Sequence, residues 1–192
     1  MNNNTKKDKK IYLLPGRRSS FAKTPGKNLT DMGYSFMGRE LVDEFEYAPI
    51  SHQLSVICED IKKYFWSKDS VIIGRSYGGY LTMHTLIEFL PIKFPGRVLL
   101  LSPVLGRSPI KNGYMSRPPR SKKILEYAKS GKLEGLDIEV HTGKLDNGCD
   151  YELAQEIFSY IKSSKLTIVE DADHYLSYEY TNRVLENFLE NN

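Results

Sequence analysis

The chain has 192 residues and a mass of 22.1 kDa, room for one ordinary domain and little more. With 40% hydrophobic and 27% charged residues it can bury a core, which excludes a mainly disordered chain. The net charge of +3 falls short of the dense basic patch that nucleic-acid binding uses, and no apolar run reaches the roughly 18–20 residues of a membrane span.

Residues 1–10 carry Lys6, Lys7, Lys9 and Lys10 with almost nothing apolar, and read as a disordered polar tail without the apolar stretch of a secretory signal. Cys58 and Cys149 stand far apart and form no CxxC pair, so reduced thiols and a cytoplasmic setting are expected. The histidines at 52, 84, 141 and 174 show no metal-ligand spacing, so neither a metal nor another cofactor is expected.

Ile11–Leu14 is a short apolar run stopped by Pro15-Gly16, as in a buried strand feeding a tight loop. Residues 17–29 read as irregular, and Gly33–Met37 as a second strand. Leu54, Ile57, Cys58, Ile61, Tyr64 and Phe65 fall on one helix face, with Ser51 as its N-cap. Val71–Ile73 is the next strand. The helical pattern through Leu81, Leu86, Ile87, Phe89 and Leu90 ends at Pro91. Val98–Leu101 is a further strand. Residues 105–135, with three prolines, four glycines and many bases, read as a lid-like insertion holding one helix around Lys122–Lys129. A strand at Ile138–His141, a helix through Leu153–Ile161, a strand at Leu166–Val169 and a helix at Val184–Leu189 complete the single domain of residues 11–192.

Strands alternate with helices, and most strands are uninterrupted apolar runs suited to burial on both faces. This predicts an α/β layer fold around a mostly parallel sheet, with functional side chains just past the carboxyl ends of strands. At such a place stands Gly74-Arg75-Ser76-Tyr77-Gly78, a G-x-S-x-G directly after Val71–Ile73 and at the start of a helical pattern. Glycines flanking a serine on a sharp turn let neighbouring backbone approach closely. The bland reading of these five residues is a plain Gly-Ser turn.

A serine hydroxyl needs a base to become a nucleophile. His174, just past Leu166–Val169, is the candidate; His52, His84 and His141 read as packed or solvated. The histidine in turn needs an acid to fix its tautomer. Asp146 follows the strand that ends near His141, whereas Asp150 immediately precedes a helix and reads as its N-cap.

The order Ser76, Asp146, His174, with the serine turn, Gly143-x-x-Asp146 and the Asp-His loop, resembles the α/β-hydrolases over roughly residues 11–190. The resemblance implies a reduced α/β-hydrolase fold of about six mostly parallel strands with helices on both faces. It implies a serine hydrolase that cleaves a small-molecule carboxylic ester or thioester through an acyl-enzyme. Ser76 is then the nucleophile, His174 the general base and acid, and Asp146 the orienting acid. The oxyanion hole falls on the backbone N–H groups of Arg17 and Tyr77, although Leu14-Pro15-Gly16-Arg17 lacks the family's histidine. The bases of 105–135, among them Arg107, Lys111, Arg117, Arg120, Lys122 and Lys123, would then line a mouth favouring anions, or else a solvated loop. The alternative is a non-catalytic protein of the same fold that binds a ligand or partner. Phosphate binding by Pro25-Gly26-Lys27 lacks the remainder of a P-loop.

Overall fold

A computed structural model describes residues 9–106 and 119–190. The strands are β1 (Lys10–Leu14), β2 (Phe36–Gly38), β3 (Ser70–Arg75), β4 (Arg97–Leu101), β5 (Asp137–Gly143) and β6 (Ser164–Val169). They form one six-stranded sheet in the order β2-β1-β3-β4-β5-β6, every pair parallel. The helices are α1 (Gly26–Asp31), α2 (Asp43–Tyr47), α3 (Ile50–Asp60), α4 (Tyr77–Phe89), α5 (Lys123–Lys129), α6 (Tyr151–Ser159) and α7 (Tyr178–Glu190).

The apolar runs are explained by the two covered faces. Side chains alternate across a strand, so each run splits into two sets. Tyr12, Leu14, Ile72, Val98, Leu100, Ile138 and Val140 face one core, filled by residues of α3, α4, α5 and α6 such as Ile57, Leu86, Ile124 and Ile157. Ile11, Leu13, Val71, Ile73, Leu99 and Leu101 face the other, closed by Leu29 of α1 and by Val184, Leu185 and Phe188 of α7.

Several local expectations shift. Lys10 already belongs to β1, while residues 1–8 of the expected tail lie outside the described residues. The second strand is Phe36–Gly38 rather than 33–37, because Gly33 (φ +80°) and Tyr34 close α1 through N–H bonds to Thr30 O and Leu29 O. Within 17–29, expected to be irregular, α1 begins at Gly26 and buries Leu29. Ser51 does not cap α3: the helix starts at Ile50, and the Pro49 carbonyl accepts from His52 and Gln53 N–H. One π-helical turn, Ile61–Phe65, then extends α3 and turns both Ile61 and Phe65 into the core.

The segment 105–135 is set apart by composition, yet its described part contributes Leu105, Ile124, Ala128 and Leu133 to the core, with α5 packed on α6. Its prolines and bases mask a short amphipathic helix. Residues 107–118 lie outside the described residues. Truncating a core side chain costs about 2–5 kcal/mol, whereas a change on a solvated loop costs about 0.5 kcal/mol or less. Ile124→Ala is therefore expected to lower the unfolding free energy in urea by about 2 kcal/mol or more, and a change within error would place α5 outside the core.

Candidate active site

Every residue of the site hangs on a loop at the carboxyl edge of the sheet. β3 runs directly into α4, and the single residue between them, Ser76, turns the chain at φ +52°, ψ −118°. A non-glycine residue with positive φ is strained and persists only where its surroundings over-determine it. Here Ser76 N–H donates to Leu101 O (3.0 Å), while Ser76 O accepts from Val104 N–H (3.0 Å) and Tyr80 N–H (3.2 Å). The flanking glycines are steric necessities. A Cβ at Gly78 would collide with the carbonyl oxygens of Leu14 and Pro15, and one at Gly74 with Thr82 Oγ1 and the backbone of Gly79.

The structure brings together the three side chains singled out in the sequence. Ser76 Oγ lies 2.8 Å from His174 Nε2, and His174 Nδ1 lies 2.8 Å from Asp146 Oδ1. Asp146 is buried, and the N–H groups of Gly148 and Cys149 each donate to its Oδ1 at 2.7 Å. The loops that carry the acid and the histidine are tied by Lys144 N–H to Val169 O (2.9 Å) and Leu145 N–H to Ala172 O (3.0 Å). Asp150 instead accepts from Leu153 N–H at 3.0 Å and caps α6.

The remaining histidines are engaged elsewhere. His141 is buried between Tyr180 Oη (2.8 Å) and Glu139 Oε1 (2.9 Å), His52 is exposed on α3, and His84 is buried in α4. Among the described residues no group of His, Cys, Asp and Glu gathers as a metal site would. Burial raises the Cys58 thiol to about 11 and pushes Cys149 higher still, so both are poor nucleophiles at neutral pH.

The positions read as oxyanion donors flank the serine. Tyr77 is the first residue of α4, so its N–H belongs to the turn whose donors precede the i−4 carbonyl ladder. Gly16, next to Arg17, approaches so closely that a Cβ there would stand 3.4 Å from Ser76 Cβ. Two residues that sequence reasoning passed over fix this pair. Buried Glu46 accepts from Arg17 Nε at 2.8 Å, and Gln53 Oε1 accepts from the Tyr77 hydroxyl at 3.0 Å. A carboxylate buried inside a short helix after a loop of bases was the available signal. In the 105–135 segment, Arg120 and Lys123 share Glu88 (2.7 and 3.2 Å), while Arg107, Lys111 and Arg117 lie outside the described residues.

No family model matches the sequence, and no curated protein matches it. Solved structures do. The chain is similar to a monoacylglycerol lipase from Paleococcus ferrophilus (TM-score 0.68, 14% identity, 94% of this chain and 93% of that one). It is similar to a lipase-esterase related protein from Clostridium acetobutylicum (0.68, 15%, 97% and 96%) and to an esterase from Exiguobacterium antarcticum (0.65, 13%, 96% and 92%). The chain has the α/β-hydrolase fold. Near-complete coverage of both partners means that this α/β-hydrolase fold accounts for almost the whole chain, with the sheet reduced to six parallel strands. Among the described residues, no helix is long and apolar enough to cross a membrane.

One buried group of the α/β-hydrolase scaffold stands apart from this constellation. His84, eight residues into α4, is fully buried, and neither ring nitrogen has a hydrogen-bond partner among the described residues. Burial, with the Arg120 and Lys123 cations nearby and only Glu88 opposing, lowers its imidazole to about 4. The unfolded chain, with a histidine near 6.5, binds the extra proton first as pH falls. Stability from this group is therefore present above about pH 6.5 and lost between about 6.5 and 4, amounting to about 3 kcal/mol. His84→Leu is expected to flatten the pH dependence of urea unfolding across that window. An unchanged slope would show that the imidazole is not held neutral by burial.

Proposed function

We propose that this protein is a serine hydrolase that cleaves a carboxylic ester or thioester through an acyl-enzyme. The observation that carries the reading is the line Ser76 Oγ–His174 Nε2 and His174 Nδ1–Asp146 Oδ1, two contacts of 2.8 Å. A carboxylate on Nδ1 selects the tautomer whose Nδ1–H donates and whose Nε2 accepts. Nε2 then takes the hydroxyl proton as Ser76 Oγ attacks the carbonyl carbon, and returns it to the leaving oxygen or sulfur as that bond breaks. A water molecule, deprotonated by the same nitrogen, then cleaves the acyl-serine bond. In this reading the backbone N–H groups of Arg17 and Tyr77 stabilise the oxyanion in both halves. The printed names of two neighbours, a lipase and an esterase, support an ester as the substrate class. The two cysteines, which form no disulfide, support a cytoplasmic setting.

A fluorophosphonate probe is expected to modify Ser76 alone, since no other serine among the described residues has a histidine on its hydroxyl, and Ser76→Ala is expected to abolish both labelling and turnover of a short-chain 4-nitrophenyl ester. An adduct mapped by mass spectrometry to another serine would overturn the assignment. Asp146→Asn is expected to preserve the fold and lower turnover by orders of magnitude, up to about 10⁴-fold, because an amide supports the wrong tautomer. Asp150→Asn should stay within about tenfold, as asparagine caps helices nearly as well as aspartate. The reverse ranking in steady-state rates, with both variants folded by circular dichroism, would transfer the role to Asp150.

A further inference from the structure

The arginines of the described residues are not equally committed. Arg17, Arg18, Arg39, Arg97 and Arg120 each lie within 4 Å of a carboxylate. Arg75 does not. It is the residue before Ser76, it is only part-exposed, and its guanidinium has no hydrogen-bonded or ion-paired partner among the described residues. Its guanidinium lies over the ring of Tyr175, 5.2 Å from the guanidinium carbon to the centroid. Tyr175 follows His174 directly, so Arg75 spans from the serine turn to the histidine loop.

Its distance from the nucleophile is bounded. The point where a Cβ on Gly16 would stand is 3.4 Å from Arg75 Nη1 and 3.8 Å from Ser76 Oγ, so the two atoms are at most about 7 Å apart. The Arg75 guanidinium is drawn partly out of water, and the carboxylate whose charge acts on it, Asp146, is already engaged by His174 and by the N–H groups of Gly148 and Cys149, so an arriving anion would replace hydration that the site withholds. Stacking on an aromatic face holds the planar donor fork in one orientation, which suits bidentate binding of a carboxylate.

We propose that Arg75 is the specificity residue of the site and binds a carboxylate that the substrate carries close to its scissile carbonyl. This rests on the serine-hydrolase reading above and adds the substrate class to it. The dimensions agree. A reacting carbonyl stands about 3–3.5 Å from the attacking oxygen, and a carboxylate about 2.7–2.9 Å from a guanidinium nitrogen. With Nη1 no farther than about 7 Å from Oγ, the two groups of the substrate are separated by only a few bonds. A half-ester of a short dicarboxylic acid has that spacing. The positive surroundings are local: buried Glu46 is shared by Arg17 and Arg18, whereas Arg75, beside the serine, is in no ion pair among the described residues.

The test compares kcat/KM for 4-nitrophenyl hemiglutarate, with the carboxylate in the acyl part, and 3-carboxy-4-nitrophenyl pentanoate, with it in the leaving group. Each is referred to neutral 4-nitrophenyl pentanoate. In Arg75→Met the ratio of anionic to neutral kcat/KM is expected to fall about tenfold or more in at least one arm, chiefly through KM. Arg75→Lys, which keeps the charge but not the fork, is expected to recover part of it. A ratio unchanged in both arms, or an equal loss on neutral and anionic esters, would overturn the proposal while leaving the hydrolase reading intact. If the wild type turns over none of the three esters, the hydrolase reading falls, and equilibrium binding of glutarate decides the carboxylate site. Binding weakened about tenfold by Arg75→Met sustains it; equal binding, or none by the wild type, overturns it.

Discussion

The turn at Ser76 is the constraint on which the rest of the site depends. A side chain lifted above the sheet edge needs a reversal between strand and helix too tight for ordinary backbone angles, and the chain meets it with φ +52° on a serine. The strain is held from three directions: β4 through Leu101 O, the following loop through Val104 N–H, and α4 through Tyr80 N–H. The two flanking glycines are the complement of that arrangement, since Leu14, Pro15 and Thr82 occupy the space their side chains would need. Strain, hydrogen bonds and missing Cβ atoms thus form one device.

The partners of Ser76 are placed by a second principle, the pairing of neighbouring strands. β5 and β6 are adjacent and parallel, with Gly143 opposite Val169. Their carboxyl ends therefore emerge side by side, and the loops that follow exchange backbone hydrogen bonds before Asp146 and His174 meet. Gly148 completes the fit, because a Cβ there would enter the His174 ring. Two backbone N–H groups, of Gly148 and Cys149, point at the buried Asp146 oxygen that also meets the imidazole, and they fix its orientation.

Charge around the site is distributed by which carboxylates are buried where. Glu46 fixes the Arg17 side chain beside the serine turn, and Glu88 draws Arg120 and Lys123 onto α4. A count of bases along the chain would have assigned the anion-attracting character to the 105–135 segment. Of those bases the described Arg120 and Lys123 are drawn onto Glu88, whereas Arg75 sits inside the G-x-S-x-G turn, its position fixed by the strand rather than by a loop.

The sequence by itself determined the parallel α/β architecture and the serine turn, and it set Asp150 apart from Asp146 as the acid directly before a helix. Each of those rests on short-range information: apolar runs bounded by Gly and Pro, glycines two residues either side of a serine, and an acid directly before a helix. What it misplaced depended on contacts between distant segments. α1 forms in a Pro- and Gly-rich stretch because Leu29 is buried beside α7, and Asn28 Nδ2 donates to Tyr178 O, 150 residues away. The core role of Ile124 and Leu133 is invisible in a stretch rich in bases, since only the packing of α5 on α6 and the sheet shows which side of the helix is dry. Which guanidinium groups are ion-paired likewise could not be read along the chain: that depends on which carboxylates the fold brings within reach, and only the tertiary structure decides it.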